Sequence, residues 1–269
     1  MASGAKHGVA RGGMAPHRRV SRASQRPIQP IPPSGELLRY YKAMSGALGP
    51  MRWWPARTPF EVIVGAILTQ STAWANVERA IANLRAAHLL TPLAMGRVST
   101  PRLASLVRPS GYFRQKAKKL KAFVRFLKSN YGGSLRRMFL TPTEELRAKL
   151  LAVHGIGPET ADSILLYAGD HPIFVVDAYT HRIFERHGIV EGRPDYERVR
   201  AFVEASIPRE ATLYNEFHAL IVNTGKNWCR KGAPRCEACP LRDLLPANSP
   251  HFTPSRISPG ALRASRGLA

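Results

Sequence analysis

Acidic residues are scarce in this chain. Its 269 residues carry 18 Asp and Glu against 40 Lys and Arg, a formal charge of +22. A surplus of that size points to a polyanionic partner, most economically nucleic acid, because each cation that meets a phosphate releases counterions. Long apolar runs are missing too. The longest, Val62 to Leu68, falls far short of the roughly 20 residues that cross a bilayer, so no membrane span is expected. Cysteine is rare: three residues, an odd number within one eleven-residue stretch. That excludes a disulfide-stapled secreted fold and suggests a reducing, cytoplasmic setting. Strand signals are few. The rest, 44% hydrophobic and 22% charged, is an ordinary globular mixture, long enough for one large domain or two small ones.

The charge is spread unevenly. Residues 1–34 hold six basic residues, no acidic one, and Pro27, Pro30, Pro32 and Pro33 at their end; nothing there is periodic. This reads as a disordered basic arm, and an organelle transit peptide is the alternative. Residues 246–269 are similar, with four prolines, three arginines and no acid. The two tails hold nine of the 40 basic residues, leaving 31 against 18 acidic ones between 34 and 245. The body is therefore basic in its own right.

Within the body the dominant period is helical. Thr58-Pro59-Phe60-Glu61 reads as an N-cap, a first-position proline and a capping-box glutamate, opening an apolar helix towards Thr69-Gln70. A further helix is expected from about Ala73 to His88. Thr141-Pro142-Thr143-Glu144 repeats the capping pattern. Helices follow over Pro158 to Tyr167, ended by Gly169, and Ala178 to His187, ended by Gly188. Ile173-Phe174-Val175-Val176 is β-branched but isolated, and reads as a buried connector. The expected fold class is all-α.

Between two of these helices lies Val153-His154-Gly155-Ile156-Gly157-Pro158-Glu159-Thr160-Ala161. Two glycines one residue apart permit positive φ and a close backbone approach, and the helix that follows offers free amides and a positive dipole end. Such a turn grips a phosphate without reading sequence, with Gly155, Gly157 and Thr160 as the donors. The bland alternative is a tight turn between helices with no ligand.

Leu150 to Ala161, followed by Phe174-Val175-Val176-Asp177, resembles the helix-hairpin-helix, Gly/Pro-rich loop and aspartate signature of the endonuclease III (HhH-GPD) superfamily of DNA glycosylases. The resemblance runs from about Arg52 to Leu245. It implies two helical lobes with double-stranded DNA bound in a central cleft. Residues 53–171 would form a helical barrel, and 35–52 with 172–245 the second lobe, in a monomer. It also implies that Asp177 is the catalytic carboxylate, whose bland role is an N-cap worth about 1 kcal/mol. Cleaving an N-glycosidic bond builds oxocarbenium character on the sugar, which a nearby anion stabilises while it orients or deprotonates the attacking water. Members that also cut the backbone carry a lysine two residues after the second hairpin glycine. Here that position is Glu159, which cannot form an imine, so a monofunctional enzyme is expected. The branch acting on adenine opposite 8-oxoguanine has a glutamate where this chain has Ala66.

Trp53-Trp54-Pro55, Gly65 to Thr72 and Val107 to Lys118 resemble the bacterial 3-methyladenine glycosylases of the superfamily. The resemblance implies a base pocket walled by Trp53, Trp54 and Trp74, with Lys226 nearby. An alkylated purine is cationic and gains from stacking on indole faces; core packing is the alternative role of each tryptophan. Gln70 and Tyr112 match the wedge residues that fill the gap left by an everted base. Lys116, with Lys118, Lys119 and Lys121, forms a run beside Tyr112, expected as a solvated helix face in reach of phosphate. Cys229-x6-Cys236-x2-Cys239 matches three ligands of the superfamily's iron–sulfur loop, and Leu245 stands where the fourth belongs. Three readings stay open: a four-iron or three-iron cluster, zinc completed by a histidine such as His251, or a metal-free loop held by Pro240, Leu241 and Leu244. In each, Arg230, Lys231 and Arg235 would face phosphates. The competing functions are an activity on oxidised pyrimidines and a non-catalytic damage-binding protein.

Overall fold

The computed structural model describes residues 35–51, 54, 56–192, 194–247 and 249. The N-terminal basic arm, most of the C-terminal tail, Trp53 and His251 lie outside them. The described residues form twelve α-helices and no strand. In chain order these are α1 (Glu36–Leu48), α2 (Pro59–Leu68), α3 (Trp74–Ala86), α4 (Pro92–Arg97), α5 (Thr100–Leu106) and α6 (Phe113–Tyr131). They continue with α7 (Leu135–Phe139), α8 (Thr143–Leu151), α9 (Pro158–Gly169), α10 (Ala178–Arg186), α11 (Tyr196–Ser206) and α12 (Ala211–Asn227).

Helix α2 is the hub of the first part of the fold. Thr58 caps it, its hydroxyl accepting from the Glu61 amide at 3.2 Å, and Pro59 stands where no amide partner is needed. Every residue from Phe60 to Leu68 is buried, among α3, α6 and α9. Burying Ile63, Ile67 and Leu68 contributes about 1.5–3 kcal/mol each. Glu61 corrects the expected capping box. In so apolar a helix its carboxylate needs a cation, and it turns to Arg85 of α3 at 2.5 Å. The second expected cap also shifts. Thr141 is drawn away to the Tyr131 hydroxyl, so Pro142 occupies the cap of α8 without a side-chain bond.

The connector after α9 is extended, buried and unpaired with any strand, so its amides need side-chain acceptors. Phe174 N–H donates to Glu204 (2.9 Å) and Val176 N–H to the Tyr196 hydroxyl (3.4 Å). Tyr196 in turn donates to Asp162 Oδ2 (2.8 Å). Asp162 is held by Arg147 Nε (2.7 Å), and Arg147 also reaches Glu197 (2.5 Å). This buried network joins α8, α9 and α11 and fixes the backbone of the residue before Asp177. Helices α10 and α12 pack together, with α1 against α12. One apolar core runs continuously through all these elements.

Candidate active site

The hairpin between α8 and α9 takes the expected form. Gly155 has φ +83, and a Cβ there would lie 2.4 Å from Lys119 Cγ, so backbone conformation and close approach both require glycine. Gly157 caps α9 with Pro158 behind it. The amides of Gly155, Gly157, Glu159 and Thr160 have no hydrogen-bond partner among the described residues, and those of Glu159 and Thr160 lie in the first turn of α9. Free amides at the N-terminus of a helix can hold an anion.

Asp177 caps α10. Its Oδ1 accepts from the amides of Tyr179 (2.9 Å) and Thr180 (2.8 Å) and from the Thr180 hydroxyl (3.0 Å). With Oδ1 saturated, the carboxylate cannot rotate without losing those bonds, and Oδ2 is the edge left for chemistry. The side chain keeps 14% exposure, and His218 Nε2 lies 3.7 Å from Oδ2. Glu159, on the first turn of α9, is the second carboxyl here. It borders a groove of about 220 Å3 between the end of α2 (Ala66, Thr69, Gln70) and α9 (Thr160, Ser163). Desolvation in that concavity, and the neighbouring Asp177 charge, push its carboxyl up to about 7.

Trp54 stacks on Tyr167 of α9 (centroids 5.0 Å, planes 28° apart) and meets Trp74 edge-on (5.3 Å, 76°). It sits in the left-handed region with φ 71, a conformation that persists only where the surroundings over-determine it. Gly65 of α2 provides the room: a Cβ there would come within 3.2 Å of the indole. Trp74 donates its Nε1 proton to Glu78 (2.9 Å). The Tyr167 hydroxyl is bonded to His218 Nδ1, so the aromatic cluster connects to Asp177 through one imidazole. Lys226 is exposed on the last turn of α12. Its neighbour Gly225 packs against the ring of Tyr179, two residues past Asp177.

One expected contact is corrected, and a second residue is engaged within the free chain. Lys116 is buried at 1% exposure; its ammonium donates to Leu68 O (2.9 Å) and Ser110 O (2.5 Å), and burial lowers its pKa to about 8. It is a tie between α2 and the turn before Tyr112, and no phosphate reaches it. Lys121 likewise binds the carbonyls of Gly96 and Val98, so the lysine run is not one solvated face. Gln70 is held at both ends of its amide. Nε2 donates to Gly155 O (3.0 Å) and Thr160 Oγ1 (2.9 Å), and Oε1 accepts from Lys119 Nζ (2.5 Å). It braces the hairpin, and entering a duplex would break all three bonds. Tyr112 is different: 70% exposed, with φ 43 at the start of α6.

Cys229, Cys236 and Cys239 are free thiols lining one pocket with Arg186, His187, Trp228 and Leu245. Leu245 closes the fourth wall with methyl groups, which cannot ligate a metal. The Arg186 guanidinium donates to Cys229 Sγ (3.3 Å), and burial pushes the Cys239 thiol up to about 11. Among the described residues no three His, Cys, Asp or Glu side chains are arranged to hold a metal ion. The donor set does not fit a four-thiolate cluster. The loop is held by α10 instead. Arg182 donates to Cys229 O (2.6 Å) and Gly225 O (3.2 Å), and Arg186 to Arg230 O (2.8 Å) and Lys231 O (3.0 Å).

Periodicity did not reveal Tyr167, His218, Arg182 or Arg186. His218 lies in Phe217-His218-Ala219-Leu220-Ile221, which reads as core. A polar ring on the apolar face of a helix was the available signal.

Comparison with known proteins bears on the family and the fold. The family described as HhH-GPD superfamily base excision DNA repair protein matches residues 64–209. A Methanocaldococcus jannaschii protein named as a DNA repair glycosylase is 44% identical, over 77% of this chain and 94% of its own length. Endonuclease III of Thermotoga maritima is 29% identical, over 69% of this chain and 81% of its own. Among solved structures, H. pylori 3-methyladenine DNA glycosylase bound to 1,N6-ethenoadenine superposes with a TM-score of 0.63 at 30% identity, covering 72% of this chain and 97% of that one. A non-covalent endonuclease III–DNA complex shares the fold, with a TM-score of 0.68 at 22% identity over 79% and 94% of the two chains.

Proposed function

Because this chain belongs to the HhH-GPD superfamily of base excision DNA repair proteins and is a DNA glycosylase of that superfamily, we propose that it is monofunctional and releases alkylated purines from double-stranded DNA. The observation that carries the reading is Asp177, an anion locked on one edge by three donors and open on the other. The hairpin amides grip a phosphate of the damaged strand, and the exposed Tyr112 enters the duplex as the target nucleotide turns out. The base stacks on the aromatic surface at Trp54 and Trp74, which attracts the electron-poor ring of an alkylated purine. That base is already a good leaving group. As the C1′–N bond lengthens, positive charge develops at C1′ and the free edge of Asp177 stabilises it. Water adds to C1′, its proton passes to solvent by way of the carboxylate, and the base departs.

Glu159 supports the monofunctional part. A carboxyl group has no nitrogen with which to form an imine, and no other basic nucleophile occupies the first turn of α9. The H. pylori relative named for 3-methyladenine supports the substrate class. Duplexes carrying 3-methyladenine, 7-methylguanine, thymine glycol or adenine opposite 8-oxoguanine, scored for free base, test it. Release of the methylated purines is expected. Release confined to thymine glycol, or from no duplex, refutes the substrate assignment.

A further inference from the structure

His218 stands in the middle of α12 and is 5% exposed. The Tyr167 hydroxyl holds its Nδ1. Its Nε2 faces Asp177 Oδ2 and has no hydrogen-bond partner among the described residues. Leaving a buried ring nitrogen unmatched carries a desolvation penalty, so the placement calls for a cause. The rings of Phe174 (6.2 Å, edge-on) and Tyr167 (5.9 Å) confine the imidazole. The tautomer follows from its neighbours. A lone pair on Nε2 would point at a carboxylate, so the proton belongs on Nε2 and Tyr167 O–H donates to Nδ1. Burial pulls the imidazole towards its neutral form, against the opposing pull of Asp177. A neutral N–H steers the carboxylate without cancelling its charge, whereas an imidazolium would take the anion away from the sugar.

We propose that His218 is a positioning residue: the Tyr167–His218 pair orients the Oδ2 edge of Asp177, as the first turn of α10 orients Oδ1, and ties that edge to the aromatic surface at Trp54. The proposal rests on Asp177 being the anion of the reaction. At 3.7 Å the contact is longer than a hydrogen bond, and contacts of this kind tighten when substrate is engaged. The ring that holds the imidazole is the ring that carries Trp54, so a base stacking at Trp54 bears on the same column. The ionisable groups facing Asp177 are His218 from α12 and Glu159 from α9; Tyr167 faces His218.

Three variants of the full chain separate the parts. Tyr167→Phe keeps the stack and removes the hydroxyl, His218→Gln keeps an N–H near the Nε2 position, and His218→Leu removes it. Single-turnover base release from dimethyl-sulfate-treated duplex is followed across about pH 5 to 9, with DNA affinity and thermal unfolding measured in parallel. His218→Leu is expected to lower the rate about tenfold with affinity within about twofold, and to move the acid limb up about one pH unit. His218→Gln recovers most of the rate, and Tyr167→Phe falls between. Nitrogen-15 NMR of the free protein is expected to show His218 neutral with its proton on Nε2. That measurement needs no substrate, and a proton on Nδ1 overturns the proposal. An unchanged rate and acid limb in folded His218→Leu overturns it too; if that variant does not fold, Tyr167→Phe decides in its place. Asp177→Asn run alongside keeps the two readings apart. If it retains activity, the assignment of Asp177 fails; if it is inactive while His218→Leu behaves as wild type, only the positioning role fails.

Discussion

Asp177 is the cap of α10 and the proposed catalytic anion, and one pair of substitutions separates the two roles. Asparagine caps helices about as well as aspartate, so Asp177→Asn keeps an oxygen for the Tyr179 and Thr180 amides and loses only the charge at the helix end. The stability cost is that of one charge beside a helix N-terminus, about 0.3–1 kcal/mol. Alanine removes the acceptor of all three bonds, including the Thr180 hydroxyl, and costs about 1–2 kcal/mol. Activity follows a different order. Both variants lose the anion proposed to face C1′, and removing one preorganised electrostatic partner typically costs 10²–10³ in rate, about 2.7–4 kcal/mol. Single-turnover release and urea unfolding, done on the same preparations, show whether the two scales separate. The expected pattern is two inactive variants, one of them nearly as stable as wild type. If Asp177→Asn cleaves within about tenfold of wild type, the carboxylate is a cap alone and the catalytic reasoning is wrong.

Glu159→Gln probes the second carboxyl. Because Glu159 titrates at about 7 in the folded chain and at 4.5 unfolded, the folded state loses stability as pH rises through that interval. The glutamine variant should therefore gain on wild type between pH 5 and pH 8, by about 1–2 kcal/mol after allowing for solvent access; an equal difference at both values in urea melts refutes the shift. Borohydride should trap no covalent adduct between wild-type protein and cleaved DNA, and a trapped adduct contradicts the monofunctional reading. Arg147→Ala strands the fully buried Asp162 and should cost about 3–5 kcal/mol in chemical unfolding. A loss under about 1 kcal/mol would show that the network does not hold the connector ahead of Asp177. Purified protein should lack an absorption band near about 400 nm and contain no stoichiometric iron, sulfide or zinc, since Arg186 already occupies Cys229 Sγ and Leu245 offers no donor on the remaining side; stoichiometric metal refutes this.

Much of the architecture was legible because helix signals are local. Thr58-Pro59 and Gly157-Pro158 open α2 and α9, and the uninterrupted apolar run from Val62 to Leu68 belongs to a helix buried on every side. The lack of a strand over Ile173–Val176 followed from its isolation, and its amides went to side chains instead. Some local signals were outbid. Glu61 belonged to the capping box by spacing and went to Arg85, because a fully buried carboxylate gains more from a cation than from one amide. Thr141 lost its cap in the same way, to a hydroxyl ten residues away.

What the sequence determined by itself lies within a turn or two of the chain: the helices, the paired glycines of the hairpin, the aspartate heading α10, and a surplus of positive charge that needs no fold to be counted. What tertiary structure decided is which polar groups are spent internally. Lys116 bonds a carbonyl 48 residues away, Gln70 one 85 residues away, and His218 a tyrosine 51 residues away. No period in the sequence encodes such distances. Burial strips these side chains of water and obliges each to find a partner, and the partner is set by how helices cross. For that reason a lysine expected at DNA became a brace, a glutamine came to bond the hairpin in the free chain, and a histidine within a core segment came to face Asp177.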